Sequence, residues 1–171
     1  MKVKIHRLLL NTAYPFIAVI TLATALFLLV VRCSRISENK RLSSEQFTDL
    51  LTQVSDGWNA GDARKAADVF AEDAIYEEPP KKQYYQGQAS IFEFFGGKKG
   101  LPRPMKMNWH HIAFNEQTQI GFGEYSFAMN KQYHGIATIK IKNKKIAVWR
   151  EYQYESSMDW GTFSGEGNVS K

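Results

Sequence analysis

From Ser43 onward the apolar positions recur first at helical and then at strand spacing. Phe47, Leu50, Leu51, Val54 and Trp58 fall at i, i+3, i+4, i+7 and i+11, one buried stripe of an amphipathic helix that Ser43 and Gln46 open as a capping box. Asn59-Ala60-Gly61 ends it, and Asp62 caps a short second helix built on Ala63, Ala66, Ala67 and Phe70. The chain then turns extended over Ala74–Glu78 until Pro79-Pro80, which cannot donate to a central ladder. Gly87 and Ser90 open a third helix whose packed side is Ile91, Phe92, Phe94 and Phe95, and Gly96-Gly97 closes it. Beyond the breakers Gly100, Pro102 and Pro104 the period drops from 3.6 to 2, which predicts strands over 105–114, 119–129, 133–142 and 146–155 joined by polar turns. Turns this short make neighbouring strands antiparallel. The pattern is that of an α+β domain over 44–164, three N-terminal helices laid on one face of a curved antiparallel sheet, with 165–171 as a tail.

Ahead of the domain, residues 13–31 carry no charge. At a rise of about 1.5 Å per residue this run matches the thickness of a hydrocarbon core, which predicts one transmembrane helix between a basic arm (1–12) and a polar linker (32–43). A cleaved signal peptide is the competing reading. The length of the run and the Arg32-Cys33-Ser34-Arg35 that follows it, with no pair of small residues to cut between, favour an uncleaved anchor. Basic residues flank the run on both sides, so orientation rests on the short N-terminal arm, which favours an inside N-terminus and an extracytoplasmic (periplasmic) domain on a single-pass chain.

Charge changes the picture once. The chain has a formal net charge of +5, but the first 41 residues hold Lys2, Lys4, Arg7, Arg32, Arg35, Lys40 and Arg41 against Glu38 alone, which leaves the remainder slightly acidic. The basic balance therefore belongs to the leader, and nucleic acid is not an expected partner. Cys33 is the only cysteine, so no internal disulfide and no thiolate metal cluster can form; no metal and no cofactor is expected. Phosphate loops, dinucleotide fingerprints and serine elbows are absent from the sequence.

The segments WNAGD (58–62), DVFAEDAIYEEP (68–79), YQGQASIFEFF (85–95) and the closing hairpin KIKNKKIAVWREYQYE (140–155) resemble the SnoaL-like branch of the nuclear transport factor 2-like superfamily, to which ketosteroid isomerases and limonene epoxide hydrolases belong. The resemblance covers about 44–160. It implies a cone, a bent antiparallel sheet and helices around one apolar cavity, commonly in a homodimer. In the isomerases the general base is the acid just before the proline that ends the first strand, which falls here on Glu78. Their oxyanion donors fall on Val54 and Ala137, neither of which can donate a hydrogen bond. Such folds host isomerases, cyclases, hydrolases and plain binding modules, so the resemblance leaves the activity open.

Glu78 is the leading catalytic candidate, because a carboxylate desolvated at the mouth of an apolar cone is suited to taking a proton from carbon. The alternative is an acid that merely ends a strand in solvent, as expected for Glu77 on the opposite face. His110 and His111 are adjacent on a strand and cannot jointly hold a metal. His111, on the alternation of Met105, Met107 and Trp109, is a second candidate acid or base, weighed against a structural histidine bonded to backbone. His134, beside a turn, is expected in solvent. Glu151 is the third candidate: Trp149, Glu151 and Gln153 alternate with Val148, Arg150, Tyr152 and Tyr154, and the family resemblance implies that Trp149 and Glu151 face the cavity, where Glu151 needs a partner such as Tyr125 or Arg150, or else a raised pKa. Trp58, Tyr76, Phe95, Trp109, Tyr125 and Trp149 are the expected cavity walls, and 156–163 closes the cone or forms a dimer interface. The expected function is a membrane-anchored domain that binds a small apolar or amphipathic molecule, with cofactor-independent isomerase, cyclase or hydrolase chemistry. The alternative is a non-catalytic assembly or scaffold module of an envelope complex.

Overall fold

The computed structural model describes residues 41–79, 83–100 and 105–166. The basic arm, the apolar run 13–31 and the linker up to residue 40 lie outside the described residues, as does the tail from 167. Among the described residues no helix is long and apolar enough to cross a membrane.

Helix α1, Ser44–Ala60, begins where expected: Ser43 Oγ accepts from the Gln46 amide while the Gln46 side chain accepts from the Ser43 amide. It ends at Gly61, whose φ of 71° few side chains tolerate. The stripe Phe47, Leu50, Leu51, Val54 and Trp58 is buried. Helix α2, Ala63–Ala67, is capped by Asp62 through the Lys65 amide at 2.9 Å and packs close against α1. At Gly57 a Cβ would sit 2.6 Å from the Ala66 backbone nitrogen, so only glycine permits this approach.

Strand β1, Phe70–Glu78, starts four residues earlier than its sequence pattern suggests. Strand β2, Gln83–Gln86, lies outside the sequence prediction altogether; its half-exposed Gln-Tyr-Tyr-Gln carries no apolar alternation. Helix α3, Gln88–Phe94, and a 3₁₀ turn at Gly97–Lys99 follow. The four-strand meander is close to expectation: β3 Lys106–Asn115, β4 Ile120–Ala128, β5 Gln132–Lys142 and β6 Lys145–Glu155. A short helix α4, Trp160–Ser164, closes the described chain.

The six strands run in the order β2-β1-β6-β5-β4-β3. The expected all-antiparallel sheet is corrected in one place, since β1 pairs parallel with β6, with Tyr76 opposite Trp149 and Glu77 opposite Arg150. Short turns fix only the β3–β6 meander; the long-range partner of β1 is set by how the helices cross the sheet, which local pattern does not encode. A β-bulge between Trp109 and His111 shifts the register of β3 against β4. The core packs one face of the sheet against α1 to α3, centred on Phe47, Phe70, Tyr76, Phe95, Tyr125 and Trp149. Tyr76 stacks on Trp149 with ring centroids 5.9 Å apart and planes 9° apart.

Candidate functional site

Beside this aromatic core lies a cavity of about 810 Å³. Its described lining combines Trp58 of α1, Tyr76 and Glu78 of β1, Phe94 of α3, Phe127 of β4, Tyr133 of β5, and Glu151 and Gln153 of β6, with Met105, Met129 and Lys131 nearer solvent. The volume suits a small organic ligand, and so does a mainly aromatic wall carrying few polar groups. Lys131 is engaged by Glu155 at 2.8 Å.

The two acids of the lining share one side of the sheet because alternation along β1 and β6 turns them inward. Glu78 is 2% exposed and accepts a hydrogen bond from Gln153 Nε2 at 2.7 Å. Its neighbour Glu77 faces the other way and pairs with Arg150 Nε at 2.6 Å. Glu151 is buried in a shell of neutral donors. Tyr76 Oη donates to its Oε1 at 2.6 Å, while Trp149 Nε1 and Tyr125 Oη donate to Oε2 at 3.0 and 3.3 Å. Burial pushes the Glu151 carboxyl above the ordinary range and the nearby Glu78 adds to the rise; the three donors pull against it without reversing it. Burial and the same carboxylate push both phenols up, so Tyr76 and Tyr125 remain protonated donors. Among the described lining residues, the buried Trp58 Nε1, Gln83 Oε1 and Gln153 Oε1 have no hydrogen-bond partner, which leaves the wall with polar capacity of its own.

The structure thus brings together Glu78, Glu151, Trp58 and Tyr76 of the residues singled out in the sequence. Tyr125, one of the two partners expected for Glu151, is present; Arg150, the other, is committed to Glu77 on the far face. Phe95, Tyr125 and Trp149 are fully buried and Trp109 is half-buried; none of these four lines the cavity. They form the packed layer behind the wall, where Trp109 sits edge-on to Tyr125 and Trp149.

His111 requires correction. The bulge at His110 inserts one residue, so Met107 and Trp109 point toward the core before it and Ile112 and Phe114 after it, while His111 is thrown to the outer face. There its Nδ1 and Nε2 lie 2.8 and 3.0 Å from Glu124 and Glu166, and it is no part of the cavity. His134, expected in solvent, is 1% exposed because the 156–166 segment lies over it: its Nε2 donates to the Met158 carbonyl at 2.8 Å. Gln153 was missed as a site residue, although the Trp149-Glu151-Gln153 alternation that turns Glu151 inward turns it inward as well.

Several solved structures share the fold. A nuclear transport factor 2-like protein of unknown function from Burkholderia xenovorans LB400 aligns with a TM-score of 0.57 at 19% identity, over 71% of this chain and 92% of its own. A ketosteroid isomerase homologue from Kribbella flavida aligns with a TM-score of 0.57 at 15% identity, over 68% and 83%. A limonene epoxide hydrolase-like epoxide hydrolase of M. tuberculosis aligns with a TM-score of 0.52 at 13% identity, over 65% and 84%. No curated protein matches the chain in sequence. Residues 51–149, more than half of the chain, match the SnoaL-like domain, and the chain therefore belongs to the SnoaL-like family of the nuclear transport factor 2-like superfamily.

Proposed function

We propose that this SnoaL-like domain binds a small apolar or amphipathic molecule in its cavity and carries out cofactor-independent acid–base chemistry on it. In this reading Glu78 takes a proton from a ligand carbon and Glu151 is the partner acid. One observation carries the proposal: two buried carboxyl groups with different surroundings converge on one aromatic-walled cavity. Two carboxyls in different surroundings divide the roles of base and acid between them. The Glu78 carboxylate is oriented by Gln153, and Glu151, which burial favours in its neutral form, presents a proton to an oxygen on which negative charge gathers. Glu151 is the cross-strand neighbour of Ala137, so a carboxyl from β6 stands beside the β5 position where the resemblance would put one. The fold relatives described as a ketosteroid isomerase homologue and an epoxide hydrolase are consistent with such chemistry.

The same proposal keeps the apolar run 13–31 as a membrane tether, places the domain on the extracytoplasmic side, and pairs it as a homodimer. A scaffold role in an envelope complex is the second reading, favoured by the exposed Ile120, Phe122, Ile136, Tyr152 and Tyr154 on the outside of the sheet. Native mass spectrometry of the full-length chain, released from detergent, reports co-purified ligand and oligomeric state together. Exchange of the α-protons of a hydrophobic cyclic ketone in D₂O tests the chemistry directly. Glu78→Gln is expected to slow this exchange by about 100-fold or more with the fold intact. Equal exchange by wild type and variant removes Glu78 as the base, and an empty cavity that admits no probe favours the scaffold.

A further inference from the structure

The unpartnered polar atoms of the cavity wall fall into two kinds. Trp58 Nε1 is a donor, and an indole N–H can only donate. Trp58 stands at the end of α1, is 4% exposed, and is held edge-on against Phe95 and Trp149. Among the described residues nothing accepts from its N–H, a deficit that native folds rarely carry because a buried donor without an acceptor is costly.

The other kind is an acceptor beside Glu78. Gln153 Nε2 donates to Glu78 Oε1 at 2.7 Å, and the reverse orientation would set an amide oxygen against a carboxylate. The unpartnered atom of Gln153 is therefore its oxygen, which can only accept. Bond lengths hold an amide oxygen about 2.3 Å from its nitrogen, so Gln153 Oε1 lies within about 5 Å of Glu78 Oε1. On the other side of Glu78, its cross-strand partner Gln83 on β2 has a buried Oε1 without a partner as well.

The geometry points to a neutral hydroxylated carbonyl compound as the ligand, with Trp58 Nε1 donating to its carbonyl oxygen and Gln153 Oε1 accepting from a hydroxyl close to the carbon that faces Glu78. This rests on the reading of the cavity as a ligand site with Glu78 as its base, and adds the two residues that choose the ligand. A hydrocarbon leaves both deficits, a simple ketone fills one and a simple alcohol the other. A molecule with both groups fills both while its apolar body lies against Tyr76, Phe94 and Phe127. Charge narrows the class further. A ligand carboxylate would meet Glu78 and Glu151 in the same cavity, and an ammonium beside Glu78 would weaken it as a base.

The test is saturation-transfer difference NMR of the full-length chain in phosphatidylcholine nanodiscs, with empty nanodiscs as background, using three matched probes: cyclohexanone, cyclohexanol and 3-hydroxycyclohexanone. The hydroxyketone is expected to bind about tenfold more tightly than either of the others, the factor that one good hydrogen bond supplies. Trp58→Phe keeps a ring in the wall without its N–H, and is expected to remove the advantage over cyclohexanol while leaving the advantage over cyclohexanone. Gln153→Met is expected to do the reverse. Opposite losses in the two variants are not what a general disturbance of the wall produces. Equal binding of the three probes by wild type, or variants that weaken all three alike, overturns the inference and leaves the cavity as a ligand site. Saturation transfer to none of the probes removes that underlying reading, and the inference with it.

Discussion

Glu151 offers the sharpest test of how the cavity is built, because three buried donors converge on it. Replacing it by leucine leaves Tyr76 Oη, Trp149 Nε1 and Tyr125 Oη without their acceptor, all on residues no more than 2% exposed. An unsatisfied buried donor costs about 1–3 kcal/mol, so with three of them Glu151→Leu should lose roughly 3–9 kcal/mol, a large part of the stability of an ordinary domain. Glu151→Gln is a different perturbation. Its amide oxygen can accept from Trp149 and Tyr125, and its amide nitrogen can donate to the Tyr76 hydroxyl, which turns to accept. The variant should therefore fold nearly as well as wild type. The pH dependence separates the two states of the acid. A carboxyl whose pKa is raised on folding binds its proton more tightly in the native state, so wild-type stability falls as pH rises from the unfolded value near 4.5 through the raised native value, and is level above it. The slope in that window is at most about 1.4 kcal/mol per pH unit. Urea denaturation midpoints of wild type, Glu151→Gln and Glu151→Leu across pH 4 to 8 measure both effects. A Gln variant as unstable as the Leu variant, or a wild-type curve parallel to that of Gln, would refute the assignment of a neutral acid held by three donors.

Other outcomes follow from single contacts. Gly57→Ala puts a methyl 2.6 Å from the Ala66 backbone, which cannot yield as a side chain would, and should lower stability by about 1–3 kcal/mol in thermal unfolding. Asn59 docks the end of α1 on β3 by accepting from the Met107 amide at 2.6 Å and donating to its carbonyl at 3.0 Å; Asn59→Ala should cost about 1–3 kcal/mol by chemical denaturation. Glu77→Ala removes an ion pair with an exposed arginine on the outer face, and should change stability by no more than about 1 kcal/mol while leaving ligand capture in native mass spectra as it was.

Much of this architecture is legible in the sequence wherever the determining interactions are local. The capping box, the Phe47-to-Trp58 stripe and the four-strand meander follow from spacing alone, because a helix face and a short turn are set within a few residues. The alternation of Trp149, Glu151 and Gln153 is legible for the same reason, but which of the two faces turns inward comes from the family resemblance. The missed features are those in which distant chain segments decide. The parallel pairing of β1 with β6 joins residues more than 70 positions apart. The bulge at His110 reverses the phase of β3, and nothing in Met107–Ala113 announces it, so a period-2 reading carries His111 to the wrong face. His134 is buried by a segment some 25 residues downstream, and its own neighbourhood beside a turn reads as solvent.

These non-local features also sort the titratable groups. Parallel pairing of β1 with β6 sets the strand bearing Glu78 beside the strand bearing Glu151, and both acids face inward; an antiparallel partner for β1 would run the other way and carry the end of that strand away from Glu151. The bulge and the 156–166 segment put His110, His111 and His134 on the opposite face. Carboxyl chemistry and histidine chemistry are thereby divided by the thickness of one sheet, and the only described histidines are out of reach of the cavity. In the proposed chemistry proton transfer inside falls to the two glutamates, because no described imidazole lies there to relay it.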